Sequence, residues 1–144
     1  MLNPTTIPKL AAKIVCGAAN NQLLDIERDA KLLAERGVWF VPDFVANRMG
    51  IVNCANEQYG RLSEDPAILR HFDANAEGSV FQVTKLVLLR ARASGQTPSA
   101  AANLLADELG QVAHPIWGHR TKHIIDDLVR TGWADAPRLT HDAA

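Results

Sequence analysis

Two apolar runs in the first third of the chain have the pattern of buried β-strands. Residues 13–18 read K-I-V-C-G-A and residues 38–41 read V-W-F-V; both are partly β-branched and have polar or glycine-containing edges. A continuous apolar pattern over such short lengths is typical of strands in a parallel sheet that is covered on both faces. We therefore predict two short parallel strands.

A helix is predicted between these strands, which makes one strand–helix–strand unit with a right-handed crossover. Asp25 is a residue type that caps helix N-termini, and Gly37 is placed to end the helix. The apolar stripe of this helix comprises Leu23, Ile26, Ala30 and Leu33.

After Pro42 the apolar positions follow the period of helices. The predicted helices cover residues 50–59, 79–93 and 120–130. A further helix begins at Thr97 and Pro98, which provide a capping hydroxyl and a proline at the first helical position. The inward side of the last helix is predicted to comprise Ile124, Ile125 and Leu128. The predicted fold class is α/β: two short parallel strands with a crossover helix, then a mainly α-helical C-terminal half.

The length of 144 residues fits a single domain. Within it, residues 1–60 hold the strand–helix–strand unit and the next helix, residues 61–134 are helical, and residues 135–144 form a tail that is predicted to fray. Two parallel strands leave both outer edges of the sheet open. We therefore predict a homodimer or higher homo-oligomer, or a second chain that supplies missing elements.

The composition excludes several classes of function. Fifteen basic and sixteen acidic residues give a formal charge of −1, so no basic field attracts nucleic acid or an anionic membrane. The apolar runs are far shorter than the roughly 20 residues of a membrane span, and no signal peptide is evident, so a cytoplasmic location is predicted. The two cysteines and five histidines lack the spacing of a metal site.

Two polar segments follow directly after the predicted strands. Residues 17–23 read G-A-A-N-N-Q-L, and residues 41–47 read V-P-D-F-V-A-N and lead into G-I-V-N-C-A-N-E at 50–57. With Ile7-Pro8 upstream, they resemble the amino-acid dehydrogenases of the leucine, phenylalanine, valine and glutamate family, whose pattern is roughly G-(S/A)-A-N-N-Q-L, then (A/V)-P-D-(Y/F)-V-x-N-x-G-G. The resemblance, closest to the leucine and phenylalanine enzymes, implies a partial Rossmann-like unit from the second half of the family's NAD-binding domain.

The resemblance implies a cofactor contact after the first strand. In the family the A-N-N segment lies against the nicotinamide ribose and carboxamide, which implies NAD as cofactor and Ala19, Asn20 and Asn21 as contacts. Both motifs also lie at the carboxyl ends of predicted parallel strands, where open α/β sheets bind ligands. The residues alone allow another interpretation, in which Asn20 and Asn21 cap the following helix and satisfy backbone groups of the loop.

The second motif implies contacts with the amino-acid substrate. Asn47 matches the family's asparagine beside the substrate's α-amino and carboxylate groups, and Gly50 matches a glycine close to the ligand. Ile51 and Cys54 match two positions that line the side-chain pocket, and their apolar character suits a branched-chain or aromatic amino acid. Ordinary core packing is the alternative for these two residues, which are three apart and share a helix face.

The chain departs from the family pattern in two ways. Arg48 and Met49 stand where the family commonly has a small residue and a glycine. None of the nine glycines is separated from another by a single residue, so no G-x-G turn is present to hold a pyrophosphate.

The family's catalytic residues also have no counterpart here. They are two lysines and an aspartate that lie upstream of the matched segments, and none of the five lysines of this chain stands in the required motif. Three hypotheses follow. The chain is a truncated, non-catalytic homologue with weak affinity for the nicotinamide end of NAD or an apolar amino acid. Alternatively, it is half of a split dehydrogenase completed by another chain, or a repurposed protein-interaction or regulatory module.

Overall fold

A computed structural model describes residues 1–58, 60, 62–113, 116 and 118–135 of the chain. The chain divides into two compact units, Met1–Asp107 and Glu108–Ala144. The single-domain organisation stays a prediction. Apart from Asp135, the tail that we expect to fray lies outside the described residues.

The first unit contains the predicted strand–helix–strand arrangement. Strand β1 (Ile14–Val15) pairs in parallel with β2 (Trp39–Phe40), and helix α1 (Ile26–Glu35) connects them. This confirms the predicted fold class. The strands are two residues long rather than six and four, because among the described residues each has one neighbouring strand to extend its ladder of hydrogen bonds.

Helix α1 begins as predicted and packs through most of its predicted stripe. The Asp25 carboxylate accepts hydrogen bonds from the backbone N–H groups of Glu27 and Arg28, as an N-cap does. The buried cluster around it comprises Ile7, Leu23, Ala30, Leu33, Val38 and Phe40. Ile26 is exposed, so its placement in the stripe was wrong: Ile7, from a 3₁₀ turn at Ile7–Lys9, completes the cluster instead.

The two-stranded sheet is covered on one face only, which corrects the prediction that both faces are buried. Phe40 is buried in the α1 cluster, and its register partner Val15 packs against the same cluster. On the opposite face, the register partners Ile14 and Trp39 are 62% and 42% exposed. The described residues therefore leave part of the apolar surface of the strands exposed.

The remaining helices of the first unit follow β2. They are α2 (Asp43–Ala46), α3 (Met49–Glu57), α4 (Pro66–Leu69), α5 (Val80–Ser94) and α6 (Pro98–Gly110), whose last three residues belong to the second unit. The prediction found α3, α5 and α6 and missed α2 and α4, since a single turn is too short to show a helical period. A second buried cluster holds α2 against α5 and comprises Val45, Val87, Ala91, Ala101, Ala102 and Leu105.

The second unit contains helix α7 (Arg120–Arg130), as predicted, and a 3₁₀ turn at Trp133–Asp135. Its three predicted inward residues, Ile124, Ile125 and Leu128, are all exposed, which corrects that prediction. A single helix and a short turn offer too little apolar surface to cover such a stripe. Across the described part of the chain, no helix is long and apolar enough to cross a membrane.

Candidate functional site

The candidate site lies at the carboxyl ends of the two parallel strands. The loop after β1 contains Ala19, Asn20 and Asn21, and the chain after β2 leads through Pro42 into α2 and on to Asn47. Loops that follow neighbouring parallel strands emerge at the same edge of the sheet, so residues far apart in sequence come together there.

The two motifs meet through their asparagine side chains. The Asn47 Nδ2 group donates a hydrogen bond to Asn20 Oδ1 over 2.7 Å, although the residues are 27 positions apart. The Asn21 backbone N–H donates to Asp43 Oδ2 over 2.6 Å. The Asn47 backbone N–H donates to the Asp43 carbonyl oxygen, also over 2.6 Å. These three bonds and the intervening backbone close a ring through Asn20, Asn21, Asp43 and Asn47.

The structure does not place Asn20 as the cap of helix α1. Asp25 caps α1, whereas the Asn20 side chain binds Asn47 instead of the helix N-terminus. Ala19, Asn20 and Asn21 are all exposed, and Asn47 is half-buried. The loop is further tied by Gln22, whose Nε2 group donates to the Gly17 carbonyl oxygen over 3.0 Å.

The residues that match the family's side-chain pocket lie on helix α3. Ile51 is 80% exposed, and Gly50 and Cys54 are also exposed. The core-packing alternative for Ile51 and Cys54 is therefore wrong. A side chain added at Gly50 would meet nothing within 4 Å, so the structure of this chain does not itself require a glycine at that position.

Arg48, which departs from the family pattern, ties the start of α3 to the loop before α5. Its guanidinium donates to the Gly78 carbonyl oxygen and lies 3.3 Å from Nδ1 of His71. Since arginine only donates, this contact is a hydrogen bond when Nδ1 of His71 carries no proton, as in the tautomer protonated at Nε2. Burial lowers the pKa of His71, the positive charges of Arg48 and Arg70 lower it further, and a hydrogen bond with Gly78 opposes them. Burial also lowers the pKa of Arg48.

The chemistry available at this site is that of amides. With its oxygen occupied by Asn47, Asn20 keeps its Nδ2 group as a donor, and Asn47 keeps its Oδ1 atom as an acceptor. A donor beside an acceptor complements a primary carboxamide or the paired ammonium and carboxylate of an amino acid. All five lysines of this chain are exposed.

Other features of the described residues do not coincide with this site. A groove of about 300 Å³ is lined by Gly37, Val38 and Trp39 together with parts of α5 and α6, at the opposite end of β2. No group of three histidine, cysteine or acidic side chains within the described ranges is placed to hold a metal ion. The groove contains none of the predicted site residues.

Sequence reasoning missed two parts of this arrangement. Asp43 belongs to the second motif, but nothing in its spacing revealed that its carboxylate would reach Asn21. Arg48 was noted as a departure, and its partner His71 was not considered at all. Both contacts join residues more than twenty positions apart. The Asn21–Asp43 contact could have been predicted only from the position of Asp43 beside the end of the strand.

The fold and the paired motifs place the chain in the class of α/β proteins with a dehydrogenase-type strand–helix–strand unit. The chain is 38% identical over 118 residues to valine dehydrogenase from Streptomyces coelicolor, covering 79% of this chain and 29% of that protein. It is 34% identical over 107 residues to leucine dehydrogenase from Bacillus cereus, covering 74% and 27%. No family model matches the chain.

A solved structure agrees with these relatives. L-tryptophan dehydrogenase from Nostoc punctiforme superimposes with a TM-score of 0.64 and 34% sequence identity, covering 74% of this chain and 30% of that one. The chain is therefore a homologue of the amino-acid dehydrogenases over about three quarters of its length. It spans slightly under a third of the length of these relatives.

Proposed function

We propose that this 144-residue chain is a non-catalytic homologue of part of the amino-acid dehydrogenases that keeps a weak binding site for the nicotinamide end of NAD or for an apolar amino acid. The site consists of Ala19, Asn20 and Asn21 on the cofactor side and Asn47 on the substrate side, with Gly50, Ile51 and Cys54 beside it on α3.

The observation that carries this proposal is the 2.7 Å hydrogen bond between Asn20 and Asn47. It joins the residue matched to the cofactor with the residue matched to the amino acid, and it leaves the Asn20 Nδ2 group as a donor and the Asn47 Oδ1 atom as an acceptor. The carboxamide of nicotinamide and the zwitterionic end of an amino acid both fit that pair. Exposed Ile51 and Cys54 offer apolar surface on α3 for a side chain.

The rest of a dinucleotide does not fit this chain equally well. A pyrophosphate needs a glycine-rich turn at a helix N-terminus, and the nine glycines of this sequence include no G-x-G. We therefore expect weak affinity, with a dissociation constant on the order of 1 mM, equivalent to about 4 kcal/mol. All five lysines, the residue type that the family uses for proton transfer, are exposed in this chain, which supports a non-catalytic role.

The test is a calorimetric titration of the purified chain with NAD, with and without L-leucine, with NADH formation followed in the same samples. We expect weak binding, no NADH, and loss of binding in Asn47→Ala, because that substitution removes the Asn47 oxygen and the partner that orients Asn20. Asn75→Ala, an exposed asparagine remote from the ring in sequence and bonding, should bind as the wild type does.

Two results would contradict the proposal. If no heat of binding is measured at NAD and leucine concentrations well above 1 mM, the chain does not have the proposed binding site. Formation of NADH by the lone chain would show that it is an active enzyme.

A second proposal concerns partners, and the exposed pair Ile14 and Trp39 favours it. We infer that this sheet face and the open strand edges are covered by another chain, either a second copy or a polypeptide that supplies the missing parts of a dehydrogenase. In the second case the chain is half of a split enzyme. Amino-acid oxidation that appears only after mixing with such a polypeptide would support this function over the non-catalytic one.

A further inference from the structure

One residue, Asp43, is bonded to both halves of the candidate site. Its carboxylate accepts a hydrogen bond from the Asn21 backbone N–H, and its carbonyl oxygen accepts the last backbone bond of helix α2, from the Asn47 N–H, each over 2.6 Å. Neither bond is part of the contact between Asn20 and Asn47 side chains. Asp43 therefore connects the loop after β1 with the chain after β2.

The conformation of Asn21 shows why the loop needs such a connection. Asn21 has φ of +52°, in the left-handed region that residues with a side chain adopt at a cost. Asparagine tolerates this region better than most residues, yet Asn21 is exposed and no packing holds it there. The hydrogen bond to the Asp43 carboxylate holds the Asn21 N–H itself, and hydrogen bonds to a charged acceptor are stronger than neutral ones. The next residue, Gln22, is held separately by hydrogen bonds with Leu2 and Gly17.

The position of Asn20 depends on this turn, because the two residues are adjacent. If Asn21 leaves the left-handed conformation, the peptide on its amino side rotates, and the Asn20 side chain moves away from Asn47. Asp43 itself is held by helix α2, whose Val45 is buried against α5. The ring of hydrogen bonds is thus anchored in the second buried cluster.

We propose that Asp43 is the positioning residue of this site: its carboxylate holds the Asn20–Asn21 turn so that the Asn20 amide meets Asn47. This role concerns the site of the proposed function and rests on that function for its biological meaning. Asp43 need not touch the ligand.

The proposal can be tested by NMR on isotope-labelled, ligand-free protein. Two signals are followed: the Asn21 backbone amide, and the through-space contact between the side-chain NH₂ of Asn47 and Asn20. We expect Asp43→Ala to shift the Asn21 amide proton upfield, to raise its exchange rate at least about tenfold, and to abolish the Asn20–Asn47 contact. Asp43→Asn keeps an acceptor oxygen without the charge and should retain the contact partly.

A matched control and a rescue separate positioning from general damage. Asp73→Ala also removes a carboxylate that accepts a backbone N–H, that of Asn75 over 2.8 Å, and should leave both signals unchanged. Adding Asn21→Gly to Asp43→Ala should restore part of the Asn20–Asn47 contact, because glycine adopts positive φ without steric cost. A role limited to the stability of α2 would show no such rescue.

The outcomes separate a positioning role of Asp43 from a general effect on the structure. A persistent Asn20–Asn47 contact in Asp43→Ala, or its equal loss in Asp73→Ala, would overturn the positioning role. If Asp43→Ala does not fold, Asp43→Asn decides by the same two signals, with unchanged signals overturning the proposal. Neither NMR signal needs a ligand, so the role of Asp43 is tested independently of binding. If the wild type fails to bind NAD or leucine, the proposed function is wrong, and the NMR signals still show whether Asp43 positions the turn.

Discussion

At the scale of single residues, the site depends on polar contacts between distant parts of the chain. Asn20 and Asn47 are 27 positions apart, and the Asn21–Asp43 and Arg48–His71 contacts span similar distances. Each of these contacts joins two parts of the chain that are far apart in sequence. These hydrogen bonds hold the segments that carry the Asn20 and Asn47 amides. The two buried hydrophobic clusters lie outside the site.

The contact between Arg48 and His71 predicts how stability depends on pH. The lowered pKa of His71 means that the unfolded chain, where the pKa is about 6.5, binds a proton more readily than the folded chain. The stabilisation is fully present above about pH 6.5 and is lost as the pH falls through the folded value. We expect urea unfolding of the wild type to show a lower free energy of unfolding at pH 5 than at pH 7.

His71→Gln should make the stability of the protein depend less on pH across this interval, because glutamine can accept from Arg48 without titrating. His123→Gln is the matched control on an exposed helix and should keep the wild-type dependence. An unchanged pH dependence in His71→Gln would show that another group is responsible.

Much of the site was predictable from the two motifs, because they are continuous in sequence and directly follow strands. The positions of Asn20 and Asn47 at one sheet edge follow from that order alone. The hydrogen bond from Asn21 to Asp43 and the one from Arg48 to Gly78 were not predictable, since each depends on the conformation of a loop. Asn21 and Gly78 both have positive φ, which a single sequence does not reveal.

At the scale of elements, helix α1 and helix α3 have opposite roles. Leu33 of α1 is completely buried between the strands and the N-terminal turn, whereas Ile51 of α3 is 80% exposed. Both are large aliphatic residues on amphipathic helices, so the periodicity of the sequence treats them alike. Only their environment separates a core residue from a candidate pocket residue.

This difference predicts a pair of stability measurements. Leu33→Ala removes a buried side chain and should lower the free energy of unfolding by about 2–5 kcal/mol. Ile51→Ala should change it by less than about 0.5 kcal/mol, as exposed substitutions do. Urea titrations monitored by circular dichroism measure both values, and a loss above about 1 kcal/mol for Ile51→Ala would contradict its place at the site.

The lengths of the elements show what periodicity predicts and what it does not. Helices α5 and α7 were found from their apolar stripes, but several of those stripe residues, such as Ile125, are exposed. The periodicity of apolar residues shows which face of a helix can be buried. Whether that face is buried depends on how many helices and strands are available to pack against it. The same reason explains strands of two residues where the sequence predicts longer ones.

At the scale of the whole molecule, the first unit presents a sheet face that is only partly covered. Ile14 and Trp39 are register partners on that face, and each strand has one neighbour in the described residues. Proteins normally cover or charge such edges, because they pair readily with other chains. The proposed partner chain is the simplest cover.

Ile14→Lys should therefore weaken self-association if the cover is a second copy. Sedimentation velocity of the wild type should show a dimer or higher oligomer, and Ile14→Lys should shift it towards monomer, since a lysine on the face opposes packing. Leu89→Lys places the same charge on an exposed position of α5 and should not change the oligomeric state. A wild type that stays monomeric would exclude a second copy as the cover.

The central claim is that the site binds the nicotinamide end of the cofactor and not the whole dinucleotide. Separate calorimetric titrations with NAD, nicotinamide mononucleotide and AMP test it most directly. We predict similar affinities for NAD and nicotinamide mononucleotide, within about threefold, and no binding of AMP, because no turn holds the pyrophosphate and adenosine. Binding of AMP, or binding of NAD more than about tenfold tighter than the mononucleotide, would contradict the claim.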